Sequence, residues 1–372
     1  MLPRRSRKPW RDLPVNKEQF REFLGQPSLT IVEAMEKIDK NAGGILFIEA
    51  EDGRLAGCIT DGDIRRWIMK GGALSASVTQ AMNRNPKTLF LGERSRANSL
   101  MQSGGIRALP LLDQAGKLAD IVFLCHGETP DAAAPKKDLS GTPVVIMAGG
   151  KGTRLYPYTK ILPKPLIPIG DTPIMERILN TFVAYGIDAF YMTVNYKKGM
   201  IKSYFSDLQP AYTIHYVEED RPLGTGGSIK LIKEKFDRPI FVANCDSLIR
   251  ADYSDIYAYH VQSGNRITMV CALKNMTVPY GVVHSGENGV VRSMEEKPKL
   301  SYFINTGMYV IDPETIESIP DNTMFHMTDL VETMLQNGEK VGMYPVSEDS
   351  FLDMGEFSEM KRMEEKLKIV SE

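Results

Sequence analysis

The stretch Pro143-Val-Val-Ile-Met-Ala-Gly-Gly-Lys-Gly-Thr-Arg-Leu155 joins a short apolar run to a glycine-rich turn. The apolar run predicts a buried strand. Glycines in the turn let backbone N–H groups approach phosphate oxygens without obstruction by side chains. Arg154 adds a fixed positive charge, and Lys164 adds another in the following segment Leu162-Pro-Lys-Pro-Leu-Ile-Pro-Ile169. Together the two segments predict a site for a triphosphate.

Two other phosphate-binding motifs do not fit this turn. Gly152 stands where a P-loop needs Ser or Thr after its lysine, and Leu155 stands where the dinucleotide fingerprint needs a third small residue. A nicotinamide dehydrogenase would share the expected sheet class, but its glycine signature is missing here.

Apolar runs alternate with helix-like segments through the rest of this region, at 190–194, 214–217, 240–243 and 267–272. Helical periodicity covers 174–185 and stops at Gly186. This alternation predicts an α/β fold with a doubly wound, mostly parallel sheet. In such sheets ligands bind beyond the carboxyl ends of the strands, where the glycine-rich turn would lie.

The region before residue 142 repeats itself. Residues 43–57 align with residues 106–120 at an offset of 63, and each copy predicts a helix, a strand, a glycine turn and a second strand. The polar, Ala/Pro-rich composition of the next segment predicts an exposed linker. We therefore expect four parts: a basic arm at 1–23, a tandem α/β repeat at 24–127, the linker at 128–141 and the sheet domain at 142–372.

Composition excludes several classes of protein and site. The cysteines form no C-x-x-C pair, so neither a zinc site nor a disulfide framework is expected for Cys58, Cys125, Cys245 and Cys271. No apolar run reaches the roughly 18 to 20 residues of a membrane helix. The basic start lacks the apolar segment of a secretory signal. We expect a soluble, cytoplasmic protein with no membrane partner, whose arm is solvated rather than bound to nucleic acid.

From residue 143 onward the chain resembles the sugar-phosphate nucleotidylyltransferases, also called sugar-nucleotide pyrophosphorylases. Beyond the glycine-rich turn, six segments match that family in its order: Pro222-Leu-Gly-Thr-Gly-Gly-Ser228, Asn244-Cys-Asp246, Tyr280-Gly281, Glu295-Glu-Lys-Pro298, Asn305-Thr-Gly307 and Phe351-Leu-Asp-Met-Gly355. The resemblance implies a Rossmann-like nucleotidyltransferase fold. It also implies transfer of a nucleotidyl group from a nucleoside triphosphate to a sugar 1-phosphate, with Mg²⁺ as cofactor and pyrophosphate as product.

The same resemblance implies a role for each matching residue. Arg154 would contact the leaving pyrophosphate, and Lys164 would lie between the reacting phosphates. Asp246 and Asp353 would hold the magnesium ion. The nucleotide would be bound by Ala148, Gly149, Gly150, Gly152, Thr153, Leu223, Gly224, Thr225 and Gly226. The sugar phosphate would be bound by Gly281, Glu296, Lys297 and Asn305.

The repeated region, from about 25 to 125, resembles a pair of CBS (cystathionine-beta-synthase) domains, a family that often binds adenine nucleotides. Thr60 and Asp63 occupy the positions that hold ribose and phosphates in that family. Phe123 and His126 stand at the matching positions of the second copy, so at most one cleft is equipped for a ligand. A purely structural or dimerising tandem is the alternative.

The Thr-Gly-Gly version of the 222–228 loop resembles guanylyltransferases acting on heptose or hexosamine 1-phosphates. The attached CBS pair resembles enzymes of legionaminic-type acid pathways. From these resemblances we predict GTP and a hexosamine 1-phosphate as substrates, an adenine nucleotide at the CBS pair and a homo-oligomeric assembly.

Each matching residue also has a purely structural interpretation. Asp246 could cap a turn, Asp353 could cap the final helix, and Glu296 with Lys297 could form a solvated turn. A CBS-based nucleotide sensor with an inactive transferase domain is therefore the rival hypothesis. Adenylate binding without pyrophosphate exchange would favour that rival.

Overall fold

The computed structural model describes residues 17–41, 43–104, 106, 108–123 and 138–368. The chain divides into two compact units, Met1–Lys136 and Lys137–Glu372. Most of the basic arm and of the linker lies outside the described residues, as do Cys125 and His126. Within the described ranges, no helix is both long and apolar enough to cross a membrane.

The first unit contains short helices and strands in alternation. Its helices are α1 (Lys17–Glu22), α2 (Ile31–Asn41), α3 (Asp61–Met69) and α4 (Ala97–Gly104). Its strands are β1 (Leu24–Gly25), β2 (Ile45–Glu49), β3 (Leu55–Thr60), β4 (Leu89–Phe90), β5 (Ala108–Leu112) and β6 (Leu118–Phe123). They form the sheets β1-β2-β3 and β4-β5-β6, each with a parallel pair followed by an antiparallel pair.

These two sheets repeat with the same offset of 63 as the sequence. Strands β2 and β5 begin at residues 45 and 108, and β3 and β6 begin at 55 and 118. Both hairpins shift register at equivalent places, between Ile48 and Glu49 and between Leu111 and Leu112. Arg54 forms an isolated bridge with Lys117, its own counterpart in the second copy. The two copies therefore pack against each other through equivalent positions.

The second unit is larger. Its helices are α5 (Tyr158–Ile161), α6 (Ile174–Val183), α7 (Lys198–Leu208), α8 (Gly224–Gly227), α9 (Tyr253–Ser263), α10 (Met327–Gln336) and α11 (Phe357–Lys368). Its strands are β7 (Val144–Ala148), β8 (Pro168–Ile169), β9 (Thr172–Pro173), β10 (Ala189–Val194), β11 (Thr213–Glu218), β12 (Ile240–Asn244), β13 (Ser247–Ile249), β14 (Ile267–Thr277), β15 (Gly281–Ser285), β16 (Val291–Glu296), β17 (Lys299–Ile311), β18 (Val341–Val346) and β19 (Phe351–Asp353).

A seven-stranded sheet in the order β11-β10-β7-β12-β17-β14-β18 forms the centre of this unit. Strand β17 runs antiparallel to both of its neighbours, and the other pairings are parallel. Helix α6 packs on one face and α10 on the other. The predicted α/β fold with a mostly parallel sheet is confirmed. The first strand, β7, is buried along its whole length in the middle of the sheet, which places the glycine-rich turn at a central position.

Two details differ from the sequence prediction. Helix α6 ends at Val183, two residues before the predicted end, and Gly186 then adopts a φ of 84° that suits glycine. Strands β14 and β17 extend well beyond the sheet as an antiparallel pair and lead into the hairpin β15–β16. We call this extension, residues 273–303, the arm; it is distinct from the basic arm at 1–23.

Candidate active site

The glycine-rich turn follows β7 and is tightly packed. Gly152 has a left-handed φ of 64° and begins a short 3-10 helix at Thr153. A Cβ atom on Gly149 would lie 2.3 Å from the carboxylate of Glu219, and one on Gly152 would lie 2.9 Å from Thr159. Larger residues at these two positions would therefore displace these neighbours. Arg154 follows on the solvent side, at the edge of a cleft of ≈ 270 Å³ that also borders Asp353.

Lys164 is buried, with its side chain only 11% exposed. Its ammonium group forms an ion pair with the carboxylate of Asp246. Asp246 lies in the short connection between β12 and β13, at the carboxyl end of the strand beside β7. The sheet therefore brings one predicted catalytic cation against one predicted metal ligand.

The two predicted metal ligands converge through a small second sheet. Strands β13 and β19 pair antiparallel, with Ser247 opposite Asp353. The Met354 N–H donates to the Asp246 backbone carbonyl at 2.9 Å. The Ser247 hydroxyl lies 3.3 Å from an oxygen of each carboxylate, Asp246 and Asp353. Two anionic side chains from distant parts of the chain are thus held around one hydroxyl.

This convergence has an electrostatic consequence. Burial raises the pKa of Asp353, and the negative charge of Asp246 raises that pKa further. Lys164, Ser247 and Arg154 act in the opposite direction, but the pKa of Asp353 stays above its ordinary value. A buried carboxylate beside a like charge is stabilised by a cation.

The two carboxylates fit a magnesium ion by number and type of donor. Among the described residues, no cluster of three or more His, Cys, Asp or Glu side chains has the placement of a metal site. Mg²⁺ commonly takes one or two protein carboxylates and completes its coordination with water and substrate phosphates. A pair of carboxylates beside the glycine-rich turn is such a donor set.

The second predicted nucleotide loop packs against the start of α10. Gly224 has a φ of 79°, and a Cβ atom there would lie 2.5 Å from the Phe325 carbonyl. The N–H groups of Gly226 and Gly227 both donate to that carbonyl at 2.9 Å. The Thr225 hydroxyl accepts a bond from the Met327 N–H at 3.0 Å. Leu223 is buried at the beginning of the loop.

Glu219 joins the two predicted nucleotide loops, and the sequence analysis did not identify it. Its carboxylate accepts a bond from the Leu223 N–H at 3.1 Å and also faces Gly149. The residue is only 4% exposed, and burial raises the pKa of its carboxyl group. In the sequence it stands in the acidic run 218–220, which has the composition of a solvated surface. Its place directly after β11 was the available signal.

The predicted sugar-phosphate residues lie on and beside the arm. Gly281 pairs with Glu296 across the β15–β16 hairpin. Lys297 has a left-handed φ of 49°, and its ammonium lies 3.8 Å from the Glu296 carboxylate. Asn305, on β17, donates to the Tyr309 hydroxyl at 2.5 Å and accepts from the Gly307 N–H at 3.1 Å.

Polar contacts divide these residues into two groups. In the described part of the chain, hydrogen bonds and electrostatic contacts join Lys164, Asp246, Asp353 and Arg154. The bonds of Glu296, Lys297 and Asn305 stay within the arm and its base.

Thr60 and Asp63, the predicted CBS ligand residues, form a capping box at the start of α3. The Thr60 hydroxyl donates to the Asp63 carboxylate at 2.7 Å, and the Asp63 N–H donates to the Thr60 hydroxyl at 3.2 Å. Arg66 pairs with Asp63 at 2.6 Å. In the second copy, Phe123 packs against Phe23 with ring centroids 4.6 Å apart.

The chain matches the family model for nucleotidyl transferases over residues 143–368 and that for CBS domains over residues 26–70. It is 34% identical to a UTP–glucose-1-phosphate uridylyltransferase of Synechocystis sp., covering 57% of this chain and 59% of the relative. It is 33% identical to a mannose-1-phosphate guanyltransferase of Debaryomyces hansenii, covering 47% and 51%. The chain thus spans little more than half the length of these two curated relatives.

A third relative is matched almost throughout. The D-glycero-alpha-D-manno-heptose 1-phosphate guanylyltransferase of Campylobacter jejuni is 32% identical, covering 57% of this chain and 93% of the relative. The segment that matches the nucleotidyl transferase model contains the glycine-rich turn, the central sheet and both converging carboxylates. The first unit contains a CBS domain, and the chain belongs to the nucleotidyl transferase family.

Proposed function

We propose that the protein transfers a guanylyl group from GTP to a sugar 1-phosphate and releases pyrophosphate. An oxygen of the sugar phosphate attacks the α-phosphorus of GTP. The bond from that phosphorus to the bridging oxygen breaks, and pyrophosphate leaves with the electron pair. A phosphate monoester is already anionic near neutral pH, so the reaction needs no general base.

The convergence of Asp246 and Asp353 beside Lys164 is the observation that carries this proposal. The two carboxylates repel each other, and Lys164 pairs directly with only Asp246, so a further cation beside Asp353 is favourable. The reaction brings two polyanions together. A site that gathers positive charge at one point, from Lys164, Arg154 and a metal ion held by the carboxylates, is suited to offset their repulsion.

The protein's cations have separate roles in this proposal. Lys164, held by Asp246 beneath the glycine-rich turn, faces the reacting phosphates. Arg154, on the exposed side of the same turn, stabilises the charge that develops on pyrophosphate. Lys297 binds the phosphate of the sugar, with Glu296 and Asn305 near the sugar hydroxyls. Fixed donors of this kind accelerate a reaction because they need no reorganisation as charge develops.

Asp246 and Asp353 would hold Mg²⁺. When bound, the ion would supply Lewis-acid screening of the phosphate charge. The chain's own contribution is to keep the two carboxylates adjacent, through the β13–β19 pairing and the Ser247 hydroxyl.

Glu219 supports guanine as the base. Guanine presents two adjacent donors on its Watson–Crick edge, N1–H and N2–H, which a carboxylate can accept together. Uracil and thymine present one N–H between two carbonyl oxygens, and these oxygens repel a carboxylate. A buried anion between the two nucleotide loops therefore favours guanine, in agreement with the guanylyltransferases among the relatives.

The sugar and the regulation are finer parts of the proposal. A hexosamine 1-phosphate is the predicted acceptor, with mannose and heptose 1-phosphates as the alternatives suggested by the relatives. The first CBS copy is proposed to bind an adenine nucleotide through Thr60 and Asp63 and to alter turnover.

A pyrophosphate-release screen tests the proposal directly. The four common ribonucleoside triphosphates and dTTP are each combined with hexosamine, mannose, heptose and glucose 1-phosphates, with and without Mg²⁺. We expect release that depends on GTP, on the sugar phosphate and on the metal. Preference for another base would contradict the guanylyl assignment, and release in none of the combinations, together with adenylate binding, would favour the sensor hypothesis.

A further inference from the structure

The segment Asn195-Tyr196-Lys197 begins directly after β10 and contacts both Gly149 in the glycine-rich turn and Glu219. Strand β10 lies between β7 and β11, so its carboxyl end is flanked by the glycine-rich turn and by Glu219. The Asn195 side-chain amide donates to the backbone carbonyl of Glu219 at 3.0 Å. The Tyr196 N–H donates to the carbonyl of Gly149 at 3.5 Å.

The same segment also holds helix α5, which lies between the two proposed catalytic cations in the sequence. The last carbonyl groups of a helix have no partner within the helix. The Tyr196 hydroxyl donates to the Thr159 carbonyl at 3.1 Å. The Lys197 ammonium donates to the carbonyls of Lys160 and Ile161 at 2.6 and 2.7 Å. Three consecutive carbonyls at the end of α5 are therefore taken by two adjacent residues.

Lys197 adopts an unusual backbone conformation to make these contacts. Its φ is 52°, in the left-handed region that residues with a Cβ atom avoid. The next residue, Lys198, has already entered α7 and pairs with Glu218 at 2.6 Å instead. The left-handed turn thus directs Lys197 toward α5, whereas Lys198 stays on the surface beside Glu218.

We propose that Asn195, Tyr196 and Lys197 form a positioning clamp for the phosphate-binding segment 149–166. By holding Gly149 at one end and α5 near the other, the clamp fixes the path of the chain that carries Arg154 and Lys164. Its bond to Glu219 places that segment relative to the base-binding side. None of the three residues is assigned a contact with the reacting atoms. The inference rests on the proposed function, because it states how Arg154 and Lys164 are held in position within that site.

The central test is Lys197→Met. Methionine keeps much of the aliphatic stem, but it removes every donor, together with the ammonium that lies 5.5 Å from the centre of the Tyr196 ring. Because a misplacement of about 1 Å can cost roughly a hundredfold in rate, we expect kcat to fall about tenfold or more. The KM for the sugar 1-phosphate should stay within about twofold, since the arm does not depend on the clamp.

Two further variants distinguish loss of the clamp from a general loss of surface charge and from a change in backbone strain. Lys202→Met removes a lysine one turn further along, which pairs with Glu218 rather than α5, and it should keep wild-type kcat. Lys197→Gly relieves the left-handed conformation but also removes the donor, so it should lose as much kcat as Lys197→Met without a lower melting temperature. Wild-type kcat in Lys197→Gly or in Lys197→Met would overturn the proposal. If Lys197→Met does not fold, Tyr196→Phe removes one hydroxyl and gives the same comparison.

A second readout does not depend on catalysis. Amide hydrogen exchange of residues 149–166 in the substrate-free protein should be about fivefold faster in Lys197→Met, the effect of losing about one net hydrogen bond. Unchanged exchange would contradict the clamp even if activity were lost. A wild-type protein with no pyrophosphate release would contradict the proposed function, while the exchange experiment would still decide about the clamp.

Discussion

The two candidate acidic sites of this chain are constructed in opposite ways. Asp246 and Asp353 are brought together by the pairing of strands more than a hundred residues apart. Burial, and then the negative charge of Asp246, raises the pKa of Asp353. Asp63 lies three residues from Thr60 and is satisfied by it, with Arg66 as a further partner.

The difference separates an arrangement whose polar groups satisfy one another from one that a bound cation would stabilise. A capping box stabilises its own helix and is complete without any bound molecule. Two adjacent carboxylates repel each other, and Lys164 pairs directly with only one of them, Asp246. A further cation at this point would therefore be favourable. Helix capping accounts for the first arrangement, whereas in the second the Lys164 ion pair and the Ser247 hydroxyl leave the pKa of Asp353 above its ordinary value.

The largest expected effect follows from neutralising the converging carboxylates. Asp246→Asn and Asp353→Asn change the volume little, so folding should be retained. Loss of a metal contact or of charge stabilisation in the transition state costs about 3 kcal/mol or more, roughly a hundredfold in rate. Initial rates of pyrophosphate release and thermal unfolding on the same samples check this. Asp63→Asn, the matched change in the first unit, should leave turnover unchanged.

A magnesium effect on stability sharpens the comparison without any assay of activity. At a concentration near 100 times its dissociation constant, an ion that binds only the folded state adds about 2.7 kcal/mol. We expect Mg²⁺ to raise the melting temperature of the wild type and of Asp63→Asn, but not that of Asp353→Asn. An equal rise in all three would show that the ion binds elsewhere.

The pH dependence of the metal-free protein should follow the same logic. The pKa of Asp353 is raised above its ordinary value of 3.8 in the folded state, so the folded state retains this proton at a pH where the unfolded state has lost it. Stability should therefore fall as the pH rises from about 4 through the folded-state pKa. Asp353→Asn should remove that part of the slope, which unfolding in chelator at several pH values can measure.

Glu219→Gln is expected to change base selection. A good bidentate contact contributes about 1 to 3 kcal/mol of discrimination between bases. Glutamine offers one donor and one acceptor, which suits uracil or thymine better than guanine, so the ratio of kcat/KM for GTP to that for UTP should fall about tenfold. Glu218→Gln is the control, because Glu218 is exposed and pairs with Lys198 and Lys202. A ratio that is equal in both variants would remove Glu219 from base recognition.

The smallest effect is expected for the capping box. Asp63→Ala removes the N3 half of the capping box and keeps the bond from the residue 63 N–H to the Thr60 hydroxyl. It should therefore lower the stability of the first unit by less than about 1 kcal/mol, the typical cost of losing the N-cap residue itself. Basal pyrophosphate release should be unaffected. If the first CBS copy binds an adenine nucleotide, the variant should also lose the response to it, which calorimetric titration can measure. Adenylate binding that survives the substitution would place the ligand elsewhere.

The sequence predicted the regular parts of this fold because their signals are local. The apolar run 143–147 corresponds to the central strand β7, and the offset of 63 recurs in the strands of both copies. The arm was predicted less completely. The run 267–272 indicated most of the buried part of β14, but the strand continues to residue 277. Its last four residues are half-buried or exposed, and pairing with β17 maintains the strand there.

Residues that act through distant contacts could not be predicted in the same way. Glu219 stands among acidic neighbours, and only the packing of two loops around it accounts for its burial. Lys197 stands beside another lysine, and only its left-handed backbone distinguishes the two. In both cases the type of residue suggested solvent, whereas the tertiary structure decided its partner.

The bridge between Arg54 and Lys117 has a consequence for the first unit. A contact in which a position meets its own counterpart is isologous, the arrangement found between identical subunits related by a two-fold axis. When such halves are joined in one chain, each can change independently, whereas a substitution in a homodimer always occurs twice. The equivalent positions 60 and 123 differ in this way: one is a threonine at the start of a helix, and the other is a phenylalanine that packs on Phe23. Covalent fusion thus allows one half to specialise in packing while the other keeps its polar residues.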